Sequence, residues 1–371
     1  MFTPLDLPEI TLANRVTMAA LTRQRAGEDG IPTDLHVEYY SQRASAGLVV
    51  TEGTFPAFTN RAFPGQAGIA NDEQKAGWGK VADAVHAKRG RIFMQVMHGG
   101  RMSHPDLLRG SQPEAPSPVA SGTQIHTFTE KADAAEPREV THEDMDRIVD
   151  EFVAASRRAI DAGLDGVELH SANGYLLHEF LSPTSNLRTD EFGGSPENRA
   201  KFVIRVIRAV AEEIGAAKTA FRISPEHNIQ GVLETDRADV LATYGALLKG
   251  VEDLDLAYIS LLHKDAAGVF DAESAQATAG DTGVVDLPAW IRQEHKGRLF
   301  SNTGFGTVTQ EDDAQIIVNS GRADAVAVGR LLIANPDLVE RWQNGWELNA
   351  PNPKTFYVGG ATGYTDYPFH G

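Results

Sequence analysis

The sequence of 371 residues contains no cysteine, and this absence excludes several kinds of site. Disulfides, iron–sulfur clusters, thiolate zinc sites and cysteine nucleophiles all require that residue. The sequence also lacks an apolar run long enough to cross a bilayer, and its first residues lack the basic and apolar regions of a signal peptide. We therefore expect a soluble, cytoplasmic protein with no membrane partner.

Positive charge is scarce as well. Lys and Arg total 34 against 51 Asp and Glu, which gives a formal net charge of −17. Such an excess of negative charge disfavours nucleic acid and anionic membranes as partners. Hydrophobic residues make up 42% of the chain, enough for a large core. The length suits one elaborated α/β barrel domain over residues 1–371, as a monomer or a homodimer.

Short apolar runs alternate with segments of helical spacing along most of the chain. Eight strand-then-helix units predict a parallel sheet closed into a (β/α)₈ TIM barrel. A doubly wound open sheet is the alternative, less favoured because no dinucleotide glycine fingerprint opens the first unit. The predicted strands lie at 15–22, 47–53, 91–98, 166–170, 219–224, 256–262, 299–303 and 325–328. The predicted helices lie at 37–46, 72–88, from Thr141 or His142 onward, and at 196–214, 237–254, 287–296, 309–320 and 337–343.

Two segments stand outside this alternation. Residues 2–15 predict an N-terminal hairpin that closes the bottom of the barrel. Residues 99–141 form a long excursion after the third strand that is rich in Pro, Ser and Gly. A loop of that length in a compact domain is usually functional. We expect a capping subdomain over the barrel mouth that contains its own hairpin; a solvated excursion is the alternative.

The most informative stretch begins at Gly166 and ends at Tyr175. Its alternation predicts that Glu168 and His170 share one face of a strand. His170, Asn173 and Tyr175 then follow closely enough to surround one small ligand. Two of them could donate hydrogen bonds to a carbonyl oxygen, while the third transfers a proton. A strand-end histidine is more often structural, so this interpretation depends on the rest of the pattern.

Other predicted strand ends carry polar or glycine residues, at the rim where barrel enzymes hold their active groups. Arg222 lies on the fifth strand, where a buried guanidinium requires an anionic or carbonyl partner. Asn302 to Gly306 follow the seventh strand, and Gly329-Arg330 follow the eighth. Glycines that let backbone N–H groups approach an anion, together with an arginine, predict a phosphate site there.

Taken together, these stretches resemble the old yellow enzyme family of FMN-dependent alkene reductases. The resemblance extends from end to end of the chain, and its most specific parts are the His-x-x-Asn-x-Tyr and Arg-Thr-Asp-x-Phe-Gly-Gly-Ser runs. The matching positions are 14–16, 20–23, Gln95, 170–176, 180–183, 186–195, 198–199, Arg222, 329–330 and 356–357.

The resemblance implies tightly bound, non-covalent FMN, reduced by NADH or NADPH in ping-pong kinetics. It further implies reduction of the C=C bond of enones, maleimides and nitroalkenes, extending to nitro compounds and nitrate esters, with Tyr175 as proton donor. The implied catalytic residues are Tyr175, His170, Asn173 and Thr22. The implied FMN contacts are Ala20, Leu21, Thr22, Gly53, Gln95, Arg222, Gly304, Phe305, Gly329, Arg330 and Phe356. The implied substrate contacts are His170, Asn173, Tyr175, Met97 and Tyr357.

The chain departs from the family pattern at two positions. Ala20 stands where relatives usually have Pro, and Met97 often corresponds to Trp. A more flexible Met is expected to change which substituents the pocket accepts. Thr22 rather than Cys at the flavin O4 position indicates the founding subclass.

Alternatives remain at several other residues. A metal site of His98, His170, His178 and Glu168 is not favoured, because the spacing has no metal-binding logic. We expect surface positions for His36, His86, His126 and His142. Arg23, Arg25 and Arg101 are either ligands of an NADPH phosphate or members of salt bridges. Residues 363–368 either reach a second subunit or pack locally.

Two competing functions remain. One is a metal-dependent or cofactor-free lyase or hydrolase that uses His170 and Glu168. The other is an FMN-binding protein without turnover.

Overall fold

The computed structural model describes residues 1–263, 286–304 and 307–371. Eight parallel strands form a closed barrel, in which the first strand pairs with the eighth through Thr17 and Ala327. The predicted barrel is therefore confirmed, and the open sheet is excluded. The barrel strands are Val16–Met18, Leu48–Val50, Ile92–Val96, Gly166–Ser171, Thr219–Ile223, Tyr258–Leu262, Leu299–Asn302 and Ala325–Val328.

Helices surround the barrel. In the described part of the chain they are Asp34–Gln42, Asp72–Ala87, His142–Asp161, Leu176–Leu181, Pro196–Ile214, Arg237–Lys249, Leu287–Glu294, Glu311–Asn319, Arg330–Ala334 and Leu338–Asn344. Short 3₁₀ turns occupy Phe58–Asn60, Ala216–Lys218 and Pro353–Thr355. Among these helices none has both the length and the apolar composition that a membrane crossing needs.

The long helices follow from local sequence. Thr141 caps the helix His142–Asp161, because its side chain accepts from the Asp144 backbone N–H while Asp144 accepts from the Thr141 N–H. Met145, Ile148 and Phe152 lie at helical spacing and are fully buried. The first helix begins earlier than predicted, at Asp34, because Thr33 and His36 form its capping box. The helices Leu176–Leu181 and Arg330–Ala334 were not predicted.

The N-terminal hairpin, Leu5–Asp6 with Thr11–Leu12, closes the bottom of the barrel as predicted. Leu5, Leu7 and Leu12 pack in one apolar cluster with side chains from the barrel strands, among them Phe93, Tyr258 and Phe300. The rings of Tyr258 and Phe300 stack at 4.1 Å. This apolar layer fills the bottom of the barrel interior.

The excursion over residues 99–141 contains the predicted hairpin, in which Gln124–His126 pairs antiparallel with Lys131–Asp133. Two further short strands, Glu114–Ala115 and Arg138–Glu139, pair in parallel. Glu114 ties the excursion to the barrel, since its carboxylate lies 3.6 Å from His98 and binds Arg147 at 2.7 Å. The excursion is therefore a folded part of the domain.

The C-terminal segment packs on its own barrel. Tyr364 is fully buried and stacks on Tyr39 at 3.9 Å. Arg23 donates to the Phe356 and Gly363 carbonyls at 3.1 and 2.7 Å, and Arg25 donates to the Thr355 carbonyl at 2.8 Å. Both expectations for these two arginines were therefore wrong, because their partners are backbone carbonyls of the tail. The local arrangement of residues 363–368 is the one found.

His36 corrects another expectation. It is fully buried, 3.4 Å from Glu52, with Tyr364 and Trp78 packed edge-on against its ring. The partners that bury it are distant in sequence, which is why it resembled a surface residue. His126 and His142 are exposed as expected, and His86 is partly exposed.

Candidate active site

The carboxyl ends of the barrel strands surround two adjoining cavities. The first, which we call the His170 cavity, has a volume of about 360 Å³. Its lining comprises Ala20, Leu21, Thr22, Phe63, Gln95, Met97, His170, Asn173, Tyr175, Ile229, Gln230 and Tyr357. The second, the Arg330 cavity, has a volume of about 70 Å³. Its lining comprises Ala19, Ala20, Leu21, Asn173, Arg222, Leu262, Asn302, Gly304, Thr307, Val308, Thr309, Gly329 and Arg330.

The fourth strand and the turn after it present the predicted triad to the His170 cavity. Asn173 adopts a left-handed conformation with φ of 61°, and Gly174 follows with φ of 82°. Asn tolerates that conformation better than most residues, and Gly adopts it without strain. The Asn173 N–H donates to the Ser224 hydroxyl at 2.8 Å, which fixes the turn to the fifth strand. The ring of Tyr175 consequently lies 5.1 Å from that of His170, at an angle of 55°.

Burial determines the protonation of this triad. Burial, and then the charge of Arg222, hold the pKa of His170 well below its ordinary value. The imidazole is therefore neutral at neutral pH and carries a single N–H. Burial also raises the pKa of Tyr175, although the Gln230 side chain opposes the shift. The phenol therefore stays protonated and can act as an acid.

Three unpartnered buried atoms point to a polar ligand. His170 Nδ1, Asn173 Oδ1 and Arg222 Nε are buried and have no hydrogen-bond partner within the described residues. Leaving such atoms unpaired costs about 1–3 kcal/mol each, and more for a charged group. Burial lowers the pKa of Arg222, while the charge of Glu168 opposes that shift. A fixed cation with an unused donor suits a carbonyl edge that gains negative charge.

Gln95 belongs to a hydrogen-bonded group inside the barrel. Its Nε2 donates to Glu168 Oε1 at 2.7 Å, and the Tyr258 hydroxyl donates to Glu168 Oε2 at 3.0 Å. The amide of Gln95 thus retains one N–H and its oxygen for a ligand in the His170 cavity. A donor and an acceptor side by side match the alternating edge of a pyrimidine ring such as that of a flavin.

The loops after the seventh and eighth strands form the Arg330 cavity. Asn302 shapes the first loop, because its Nδ2 donates to the Ala327 carbonyl at 2.5 Å and its Oδ1 accepts from the Gly304 N–H at 3.0 Å. Gly304 has φ of 93°, a left-handed conformation that favours glycine. Gly329 and Arg330 line the same cavity. Two glycines and a guanidinium suit a phosphate group.

Most of the predicted site residues therefore meet around the two cavities. Of the described ones, Gly53 and Phe356 line neither. A side chain at Gly53 would come within 2.7 Å of Met97 Sδ, so this glycine makes room for Met97. Phe356 is buried and its carbonyl accepts from Arg23 and Arg25. Phe305 lies outside the described residues.

Sequence reasoning missed Phe63, Ile229 and Gln230 in the His170 cavity. Gln230 lies in the loop after the fifth strand with φ of 57°, and its carbonyl accepts from Arg101 at 3.4 Å. Its one available signal is the Gly that follows it in that loop.

The residues of the alternative metal site have separate partners, since His178 accepts from the Gly174 N–H and lies 3.2 Å from Glu234. In the described residues, His142, Asp190 and Glu191 make the one group with metal-like spacing, on the surface.

Comparison with known proteins agrees with this geometry. Residues 1–349 match the model of the NADH:flavin oxidoreductase / NADH oxidase family. A probable flavin mononucleotide-dependent alkene reductase of Leishmania infantum is 39% identical, over 100% of this chain and 97% of that protein. The old yellow enzyme homologue of Zymomonas mobilis superposes with a TM-score of 0.90 at 36% identity, covering 99% of each chain. Morphinone reductase in complex with tetrahydroNAD superposes with a TM-score of 0.89 at 38% identity, covering 100% of this chain and 97% of that one.

These matches extend over the whole barrel rather than over one motif. The chain therefore belongs to the NADH:flavin oxidoreductase / NADH oxidase family, and is an FMN-dependent oxidoreductase of the old yellow enzyme type with a nicotinamide reductant.

Proposed function

We propose that this enzyme reduces the C=C bond of activated alkenes, namely enones, maleimides and nitroalkenes, and that it also accepts nitro compounds and nitrate esters. The observation that carries the proposal is the convergence of a neutral His170, the Asn173 amide and a protonated Tyr175 on one cavity of about 360 Å³. Alkene reductases and morphinone reductase among its relatives support the same class of reaction.

The residues suited to hold FMN divide between the two cavities. Ala20, Leu21, Thr22, Gln95 and Arg222 would bind the ring system, and the orphaned Arg222 Nε supports this assignment. The phosphate would bind at Gly304, Gly329 and Arg330. Bound FMN supplies a hydride that it has accepted from NADH or NADPH.

His170 and Asn173 bind the carbonyl or nitro oxygen of the substrate. Negative charge accumulates on this oxygen as hydride adds to the β-carbon. Donors aimed at the oxygen therefore stabilise the transition state more than the ground state. Because His170 is neutral, it donates one hydrogen bond and gives up no proton.

Tyr175 donates the proton to the α-carbon. Tyr175 is 7% exposed, so little of it is open to bulk water. The ring packs 6.2 Å from Phe63 and in one apolar cluster with Met97. The phenol is thereby held over the cavity with one orientation, as an acid needs.

The nicotinamide and the alkene use the same cavity in turn, so we expect ping-pong kinetics. Met97 and Tyr357 line this cavity, and Tyr357 is 61% exposed at its entrance. We expect these two side chains to set which substituents enter. Met is unbranched and adapts its shape, so bulky groups on the alkene should be tolerated.

The excursion over residues 99–141 acts as a cap in this proposal. Met102, Leu107 and Ile125 of the excursion pack in the same cluster as Met97 and Tyr175. Arg101 links the excursion to the site, because it donates to the Val119 carbonyl at 3.1 Å and to the Gln230 carbonyl at 3.4 Å. Limited proteolysis with and without an alkene analogue tests the cap. Ligand should slow cleavage within 99–141, and unchanged cleavage would contradict it.

The direct test of the function is anaerobic stopped-flow spectroscopy of the purified holoprotein. Mixing with NADH or NADPH should bleach the flavin absorbance, and an enone should then restore it. A panel of enones, maleimides and nitroalkenes ranks the substrates. A protein that takes up no FMN, or a reduced holoprotein that no activated alkene reoxidises, would refute the proposal.

A further inference from the structure

The barrel interior directly beneath the site contains a carboxylate to which the proposed mechanism gives no role. Glu168 is 2% exposed and lies on the fourth strand, two residues before His170. Both of its oxygens accept hydrogen bonds, one from Gln95 and one from Tyr258, at 2.7 and 3.0 Å. Both hydrogen bonds favour the ionised form of the carboxyl group and oppose the rise in its pKa that burial causes.

The charge opposite this carboxylate is Arg222. Glu168 pairs in register with Ala220, and Arg222 follows two residues later on the same inward face of the fifth strand. Burial raises the pKa of Glu168 and lowers that of Arg222, and the charge of each group opposes the shift of the other. The two groups therefore interact electrostatically inside the barrel, where solvent screening is weak.

We propose that Glu168 is a positioning residue of the flavin site, which holds the Gln95 amide in one orientation and offsets the charge of Arg222. This inference rests on the proposed function. Without Glu168 the Gln95 amide could rotate, and its donor and acceptor would no longer face fixed partners. Without the carboxylate charge, Arg222 would favour a negatively charged ring more strongly.

The second consequence has a definite sign. Reduced FMN is more negative than oxidised FMN, so an unopposed Arg222 stabilises the reduced form. In Glu168→Gln the ratio of the dissociation constants of oxidised and reduced FMN should therefore increase, by about tenfold. For a two-electron couple this corresponds to a midpoint potential higher by about 30 mV. A side chain with a purely structural role would change stability and leave this ratio unaltered.

Spectroelectrochemical titration of the holoenzyme measures the ratio, with apoprotein reconstitution giving the affinity for oxidised FMN. Glu114→Gln is the matched control, since Glu114 is also a buried glutamate, is ionised because its pKa is lowered, and lines neither cavity of the described site. It should leave the potential unchanged. Glu168→Asp keeps the charge but shortens the reach to Gln95. It should weaken FMN binding while the ratio stays within about threefold of that of the parent.

The outcomes separate the two proposals. If the parent protein binds no FMN, the proposed function fails. If Glu168→Gln binds FMN with an unchanged ratio, the inference about Glu168 fails and the function stands. If Glu168→Gln does not fold, Glu168→Asp decides. A tenfold change in its ratio would mean that geometry rather than charge controls the potential, and would overturn the proposal.

Discussion

Replacing Tyr175 with Phe removes one hydroxyl group from the site and leaves its ring in place. The ring packs 5.1 Å from His170 and 6.2 Å from Phe63, and these contacts do not involve the hydroxyl. The donors for the substrate oxygen should therefore keep their positions. Loss of a positioned general acid reduces a rate by about 10²- to 10⁴-fold, or roughly 3–5 kcal/mol of transition-state free energy.

Anaerobic stopped-flow measurement separates the two halves of the reaction. Reduction of Tyr175→Phe by NADH or NADPH should match the parent within about twofold, because no proton from Tyr175 is needed there. Reoxidation by an enone should slow by the factor above. Tyr367→Phe is the matched control, since the Tyr367 hydroxyl accepts from the Asn352 N–H at 2.9 Å in the C-terminal segment. Undiminished enone reduction by Tyr175→Phe would remove this residue from its role.

Three further predictions follow from the same geometry. The double variant His170→Ala/Asn173→Ala should no longer bind phenols, seen as loss of the long-wavelength charge-transfer band of the holoenzyme, and a retained band would contradict the donor pair. Arg330→Ala should weaken FMN binding by about 10- to 100-fold, the worth of a charge-assisted contact. Lys249→Ala, at an exposed helix end, is the control and should leave FMN binding unchanged. Equal FMN titration curves for Arg330→Ala and the parent would exclude a phosphate contact. Burial raises the pKa of Glu179 to about 8, and Arg101 opposes that shift. The protonated carboxyl therefore stabilises the folded state fully below the ordinary carboxyl pKa, and this stabilisation is lost as the pH rises to about 8. The free energy of unfolding of the parent, measured in urea, should therefore fall relative to that of Glu179→Gln between pH 5 and pH 8, and a rise would refute the assignment.

Elements with strong local signals were predicted well. The helix Pro196–Ile214 and the strand Ala325–Val328 have the predicted boundaries. Ser195 accepts from the Asn198 N–H, and Gly215 follows the helix with φ of 94°, so both ends are set by adjacent residues. The first helix was displaced because its start depends on His36, whose role as a cap requires burial by Glu52 and Tyr364. That burial is a tertiary effect and has no local signal.

The site residues likewise divide into those that sequence spacing predicts and those that depend on the folding of distant loops. His170, Asn173 and Tyr175 are close in sequence and on one strand and turn, so their convergence could be predicted from spacing. Phe63 and Gln230 reach the same cavity from two loops that have no periodic pattern. Gly53 lines neither cavity and makes room for Met97, so its contact with FMN stays a prediction. Residues brought in by loops are visible only once the loops are folded.

The protonation states of the site residues are even harder to predict from the sequence than their positions. A histidine and a tyrosine in water would titrate near their ordinary values, and His170 would then be partly charged at neutral pH. In the barrel mouth, burial and Arg222 keep that imidazole neutral, and burial keeps the phenol protonated. Burial thus makes His170 a donor of one hydrogen bond that yields no proton, and the proposed cap contributes Met102 and Ile125 to the apolar cluster around Tyr175. Changes in the cap that admit water, such as truncation of Met102 or Ile125, should therefore restore the charge of His170 near neutral pH before they disturb the fold. An NMR titration of His170 in such a variant measures this directly, and an imidazole that stayed neutral below pH 5 would show that Arg222 alone controls it.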